Sequence, residues 1–175
     1  IYQFIHEYQS STTVTVSVLS YVYKVNESST ASAEYKNLAK AIYDYYISLN
    51  ENNPFVRNYM SIEKRPLDIK QMELAAKVFE GTHDYTSFSS GKIHEEKSRI
   101  RTITEVSVHK FDEHIQLIFK GDGFLRYQVR MMAQTIIEAG LHHIEIEDVR
   151  KMLEAKDKHV CRYKADPCGL YLVEV

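Results

Sequence analysis

No apolar run in the 175-residue chain approaches the roughly 20 residues that a membrane-crossing helix needs. The first residues are polar and aromatic without a basic start, so no secretion signal is read there. Cysteine is scarce. Cys161 and Cys168 stand without a second pair, which indicates neither a zinc knuckle nor a disulfide framework. A reducing, cytoplasmic setting fits best, although residence in an organelle after removal of a leader stays open. An excess of positive charge is also missing: the net charge is −2. Phosphate binding would therefore have to work through local clusters of Lys and Arg. No repeat or low-complexity tract is present. The chain opens on Ile1, not Met, and closes on "LYLVEV", a strand without a tail, which suggests a processed product or a fragment.

What is present reads as a folded domain. A hydrophobic fraction of 44% and a charged fraction of 26% suit one sizeable core. Alternation with period two predicts a strand over residues 12–25, and "NESSTASAE" breaks it with turn and cap formers. Ala33, Leu38, Ala39 and Ile42 suggest a short helix, "YDYYISL" returns to strand chemistry, and "NENNP" is a loop. Asp68 with Gln71 has the spacing of a capping box, and Gly81 stands where a left-handed helix terminus is wanted. Between them Ile69, Met72, Ala75, Ala76 and Phe79 make an apolar stripe.

"RIRTITEVSVHK" and "EHIQLIFKG" predict a hairpin through Phe111 and Asp112. It leads into a Gly121–Gly123 turn and a long helix whose Leu125, Val129, Met132, Ala133, Ile136, Ile137 and Gly140 share one face. A further helix is expected from about Glu145 to Lys156, and "GLYLVEV" should be the last strand. Hairpins with irregularly interspersed helices argue for an α+β fold, a mainly antiparallel sheet covered by helices on one face.

Arg126 and Arg130 fall off the apolar stripe of the long helix. Four residues apart, they are expected one helical turn above each other, where their guanidinium groups could meet a phosphate or a carboxylate. Lys97, Arg99 and Arg101 alternate, so on a strand they point to one face; Arg162 and Lys164 form a second basic cluster. Asp84 in "THDYTSF" reads as a turn-stabilising carboxylate and His83 as structural. His142 and His143 are adjacent without a second cluster at helical spacing, so no metal site is expected.

"FEGTHDYTSF", "RIRTITEV", "GDGFLRYQVRMMAQTIIEAG" and "AKDKHVCRYKADPCGLYLVEV" resemble, in order and spacing, the C-terminal half of the TruA family of tRNA pseudouridine synthases. "IYDYYISL" resembles the tyrosine motif that precedes them in that family. On this resemblance residues 42–175 are a C-terminal pseudouridine-synthase-like domain, while residues 1–41, an unassigned strand and short helix, match poorly. The resemblance implies isomerisation of uridine to pseudouridine in the anticodon stem-loop of tRNA, with no metal or organic cofactor and with a homodimeric enzyme. It implies that Arg130 pairs with the catalytic aspartate and that Tyr43 stacks on the target base. Such a base has to leave its stack, which asks for a carboxylate at the sugar, a cation holding it, and an aromatic face. Lys97, Arg99, Arg101, Arg126 and Phe124 become candidates for contact with RNA.

The chain departs from the family at one decisive place. The catalytic aspartate of the family lies in an Arg-Thr-Asp-x-Gly-Val motif, and none of the eight aspartates here has that context. Gln134 also stands where the family uses glycine, which predicts looser packing of that helix. The chain is therefore expected to be inactive alone, as the C-terminal portion of a synthase. The rival expectation is a non-catalytic RNA-binding or assembly module that kept the fold and lost the aspartate.

Overall fold

The computed structural model describes residues 41–50, 56–90 and 98–175, all within a compact unit running from Leu38 to Val175. The expected strand at 12–25, most of the short helix before Ile42, most of the "NENNP" loop and Lys97 lie outside the described residues. The strands are β1 (Ala41–Ser48), β2 (Ser61–Ile62), β3 (Gly81–Asp84), β4 (Ile100–Lys110), β5 (His114–Gly121) and β6 (Leu170–Glu174). The helices are α1 (Ile69–Val78), α2 (Gln128–Gly140) and α3 (Ile146–Glu154).

The described strands form one sheet in the order β2-β1-β5-β4-β3, with β6 also paired to β1. All pairings are antiparallel except the short β1–β2 contact. Strand alternation sends Tyr45 and Ile47 of β1, Ile115, Leu117 and Phe119 of β5, and Val106 and Val108 of β4 to one buried face. There they join Met72, Ala75 and Ala76 of α1 and Val129, Met132, Ala133, Ile136 and Ile137 of α2 in a single core. Each such large apolar side chain contributes about 1.5–3 kcal/mol of burial. On the opposite face Asp44 is nearly enclosed: Gln116 Nε2 donates to its Oδ2 at 2.7 Å and the Tyr46 hydroxyl at 3.0 Å.

The expected α+β architecture, hairpin and final strand are present, with four local corrections. Ile42 lies in β1, not in a helix, because β1 is hydrogen-bonded on both edges, to β5 and β6. Asp68 caps α1 by accepting from the amides of Lys70 and Gln71, and the reciprocal bond that would complete the box occurs instead at α3, between Glu145 and Asp148. Gly81 does take a left-handed φ of +107°, but α1 closes earlier on Phe79 in a right-handed conformation and Gly81 opens β3. Finally, α2 starts at Gln128, so Leu125 and Arg126 belong to the preceding turn.

The close approach of helices falls at Gly140, where an added Cβ would stand 2.5 Å from Met72 Cγ. Gln134, in the middle of α2, donates from Nε2 to Glu138 along the same helix. Asp84 accepts from the Thr86 amide and hydroxyl, and His83 bonds the Glu80 carbonyl, both within local turns.

Candidate active site

Four elements converge on one end of α2: β1, the Gly123–Tyr127 turn, the first turn of α2, and the stretch before β6. Arg130, half-buried, sits just inside α2. Its Nε donates to the Ala165 carbonyl at 2.7 Å, and the Ala165 amide returns a bond to the Arg130 carbonyl at 3.0 Å. One residue further, the Asp166 carbonyl accepts from the Tyr45 hydroxyl at 2.9 Å. The 165–166 stretch thus ties the arginine to the tyrosine strand. With Nε occupied, the terminal nitrogens of Arg130 make no hydrogen bond among the described residues, and no described carboxylate forms an ion pair with it. A guanidinium held by Nε presents its outer edge in a fixed direction, the geometry that a carboxylate accepts in a two-point bond.

Tyr43 and Tyr45 share a face of β1, yet their surroundings differ. Tyr45 is fully buried with its hydroxyl bonded, and burial pushes that hydroxyl up to about 12. Tyr43 is only partly buried, and its ring meets Phe124 edge-on at 5.3 Å between centroids. Phe124 is thereby fixed against the tyrosine strand, with Gly123 before it in a backbone conformation, φ +152°, that suits glycine.

Tyr127 was not singled out by the sequence, and it organises the cations. Its φ of +66° is left-handed, rare for a residue with a large side chain. The Arg126 guanidinium lies 4.9 Å from the ring centroid, the Lys164 ammonium 5.0 Å and the Arg130 guanidinium 5.4 Å. Cations are attracted to an aromatic face at such distances. Arg126 also donates to the Tyr127 hydroxyl at 3.1 Å; that bond, followed by the charges of Arg126, Lys164 and Arg130, holds the hydroxyl below the usual phenol range. So Arg126 and Arg130 meet around one ring, not as neighbours along a helix.

Gln128 also escaped notice. It is fully buried; its Oε1 accepts from the Leu125 amide at 2.7 Å, while its Nε2 has no partner among the described residues. A polar residue at an inward position was the signal that could have found it. Elsewhere, Arg99 lies just before β4, and Arg101 turns its Nη1 to the carbonyls of Ser98 and Ile100 at 3.0 and 2.7 Å. No group of three potential metal ligands occurs among the described residues. His142 pairs with Asp68 and His143 with Glu138. No described helix is long and apolar enough to cross a membrane.

Residues 75–175 match the family model described as tRNA pseudouridine synthase. The chain is 40% identical over 133 residues to a protein named tRNA pseudouridine synthase A from Oceanobacillus iheyensis, covering 75% of this chain and 53% of that protein. It is 42% identical over 133 residues to one of the same name from an Exiguobacterium species, covering 76% and 53%. A third, from Limosilactobacillus reuteri, is 41% identical over 126 residues, covering 70% and 48%. The chain spans about half the length of the curated relatives it matches.

Proposed function

Since the chain belongs to the tRNA pseudouridine synthase family, we propose that it is the C-terminal portion of an enzyme that converts uridine to pseudouridine in the anticodon stem-loop of tRNA. In this reaction the bond between the sugar C1′ and base N1 breaks, the base turns, a bond forms between C1′ and C5, and the C5 proton leaves while N1 gains one. Arg130 is a positioning residue in this scheme: it holds a sugar-directed aspartate contributed by polypeptide outside this chain's own eight aspartates. Tyr43, partly buried and backed by Phe124, offers the aromatic face for the base, and the full burial and bonded hydroxyl of Tyr45 favour Tyr43 over it for that role. Arg126, Arg99, Arg101 and Lys97 serve the RNA backbone. The reaction asks for no metal or organic cofactor.

The observation that carries this reading is the half-buried Arg130, anchored through Nε, with terminal nitrogens that make no hydrogen bond among the described residues, and tied through Ala165 and Asp166 to the tyrosine strand. A cytoplasmic setting is compatible with a tRNA substrate. The exposed Leu172, Val173 and Val175 supply apolar surface for a homodimer. The test uses the full product of the encoding gene and an unmodified tRNA transcript, with pseudouridine read by its carbodiimide adduct. Arg130→Ala should lower turnover on the order of 100-fold or more, the scale for losing a preorganised electrostatic contact. Absence of pseudouridine with the intact product, or full turnover in Arg130→Ala, overturns the reading.

A further inference from the structure

Beside the Tyr127 cations the surface opens into a cleft of about 440 Å³. Its rim carries Lys158, His159, Arg162 and Lys164, all exposed, and its wall is formed in part by Met131 of α2 and Tyr163. Among the described residues no carboxylate lines it, and none of Lys158, Arg162 and Lys164 forms an ion pair. The nearest acid in sequence, Asp157, turns its Oδ1 to the His159 amide at 2.9 Å. Like charges crowded in this way repel one another unless an anion joins them.

The basic loop is pinned at both ends. Before it, the Asp157 amide donates to Ser87 Oγ at 3.1 Å; after it, Ala165 makes its two bonds with Arg130. Between these points Cys161 is buried, its thiol directed to the Tyr163 carbonyl. The cations are thus presented on a fixed frame. Lys164 belongs to both places, because its ammonium also faces Tyr127.

We propose that this cleft is a phosphodiester-binding groove that carries the RNA backbone away from the nucleotide held near Arg130, with Lys158 and Arg162 each neutralising a phosphate; the proposal rests on the synthase reading above. The chemistry favours a polymer over a single small anion. A closed phosphate site directs buried donors or backbone amides at one group, whereas exposed lysines and an arginine spaced along an open rim act as point charges for successive phosphates.

The test measures binding of a short RNA hairpin to the full product of the encoding gene by fluorescence anisotropy across a salt series. Each phosphate contact adds close to one unit to the slope of log Kd against log salt, so Lys158→Ala/Arg162→Ala should make it shallower by about 2. Single Lys158→Gln and Arg162→Gln variants should each give about half that change. Lys70→Ala, on α1 and away from the cleft, should leave the slope unaltered. If the double variant keeps the wild-type slope while Arg126→Ala weakens binding, the groove is refuted and the synthase reading stands. If the wild-type chain ignores RNA even at low salt, the groove is refuted too, and the pseudouridine assay decides the reading separately. Polyglutamate or inorganic phosphate bound by the wild type and lost in the double variant, with RNA binding unchanged, would reassign the cleft and overturn the proposal.

Discussion

Tyr127 holds a conformation that its own side chain disfavours, and three cations gather on its ring. A left-handed φ costs a residue with a Cβ about 1–2 kcal/mol, a penalty glycine escapes. Tyr127→Ala removes the ring and keeps the strain; Tyr127→Gly removes the ring and relieves it. The glycine variant should therefore be more stable than the alanine variant by about 1 kcal/mol in urea melts, while both lose RNA affinity relative to the parent. Equal stability of the two would mean that the backbone is not strained there. Such a pairing of cost and use was not legible beforehand. "FLRYQVR" marked Arg130 through its motif, but nothing local announces that Lys164, far along the chain, closes on the same ring.

The elements set by local pattern are the ones legible in the sequence. Strict alternation in β4 and β5, with turn residues between, identified the hairpin, and the 3.6-residue stripe identified α2 from Val129 to Gly140. The stripe begins before the helix does, because Leu125 keeps step with it while the backbone turns helical only at Gln128. Ile42 misled for the complementary reason: its spacing suits a helix, and long-range pairing on both edges of β1 overrides that preference. The short turn at Pro167–Gly169 belongs to what only the fold discloses. A Cβ on Gly169 would lie 2.6 Å from the Tyr46 carbonyl oxygen and 3.0 Å from Tyr45 Cζ, and the backbone neighbour cannot swing aside. Gly169→Ala is expected to cost about 1–3 kcal/mol, the range for overpacking, read as a lower urea midpoint. Because it pushes on the strand carrying Tyr43, it should impair the site as well.

For the molecule as a whole, buried phenols set a limit on alkaline stability. Burial raises the Tyr45 hydroxyl to about 12 from its ordinary 10.0, and burial likewise raises Tyr46 and Tyr85. A raised folded-state value favours the protonated form in the fold, so its stabilisation is intact below about pH 10 and is lost as pH climbs towards 12. Unfolding midpoints measured against pH should fall across that window, by on the order of 2–3 kcal/mol for Tyr45 alone. Tyr45→Phe should flatten the fall while costing about 1 kcal/mol at neutral pH for the lost bond to Asp166. A midpoint indifferent to pH between these limits would place the phenols in water.

The bond from Asp166 reaches back 121 residues to Tyr45, and that from Ala165 reaches back 35 to Arg130. During synthesis on the ribosome the arginine and the tyrosine strand therefore emerge long before the stretch that clamps them. The nascent chain carries Arg130 and Tyr45 without these bonds until residues 165–166 leave the exit tunnel, so release before that point leaves the guanidinium without its anchor.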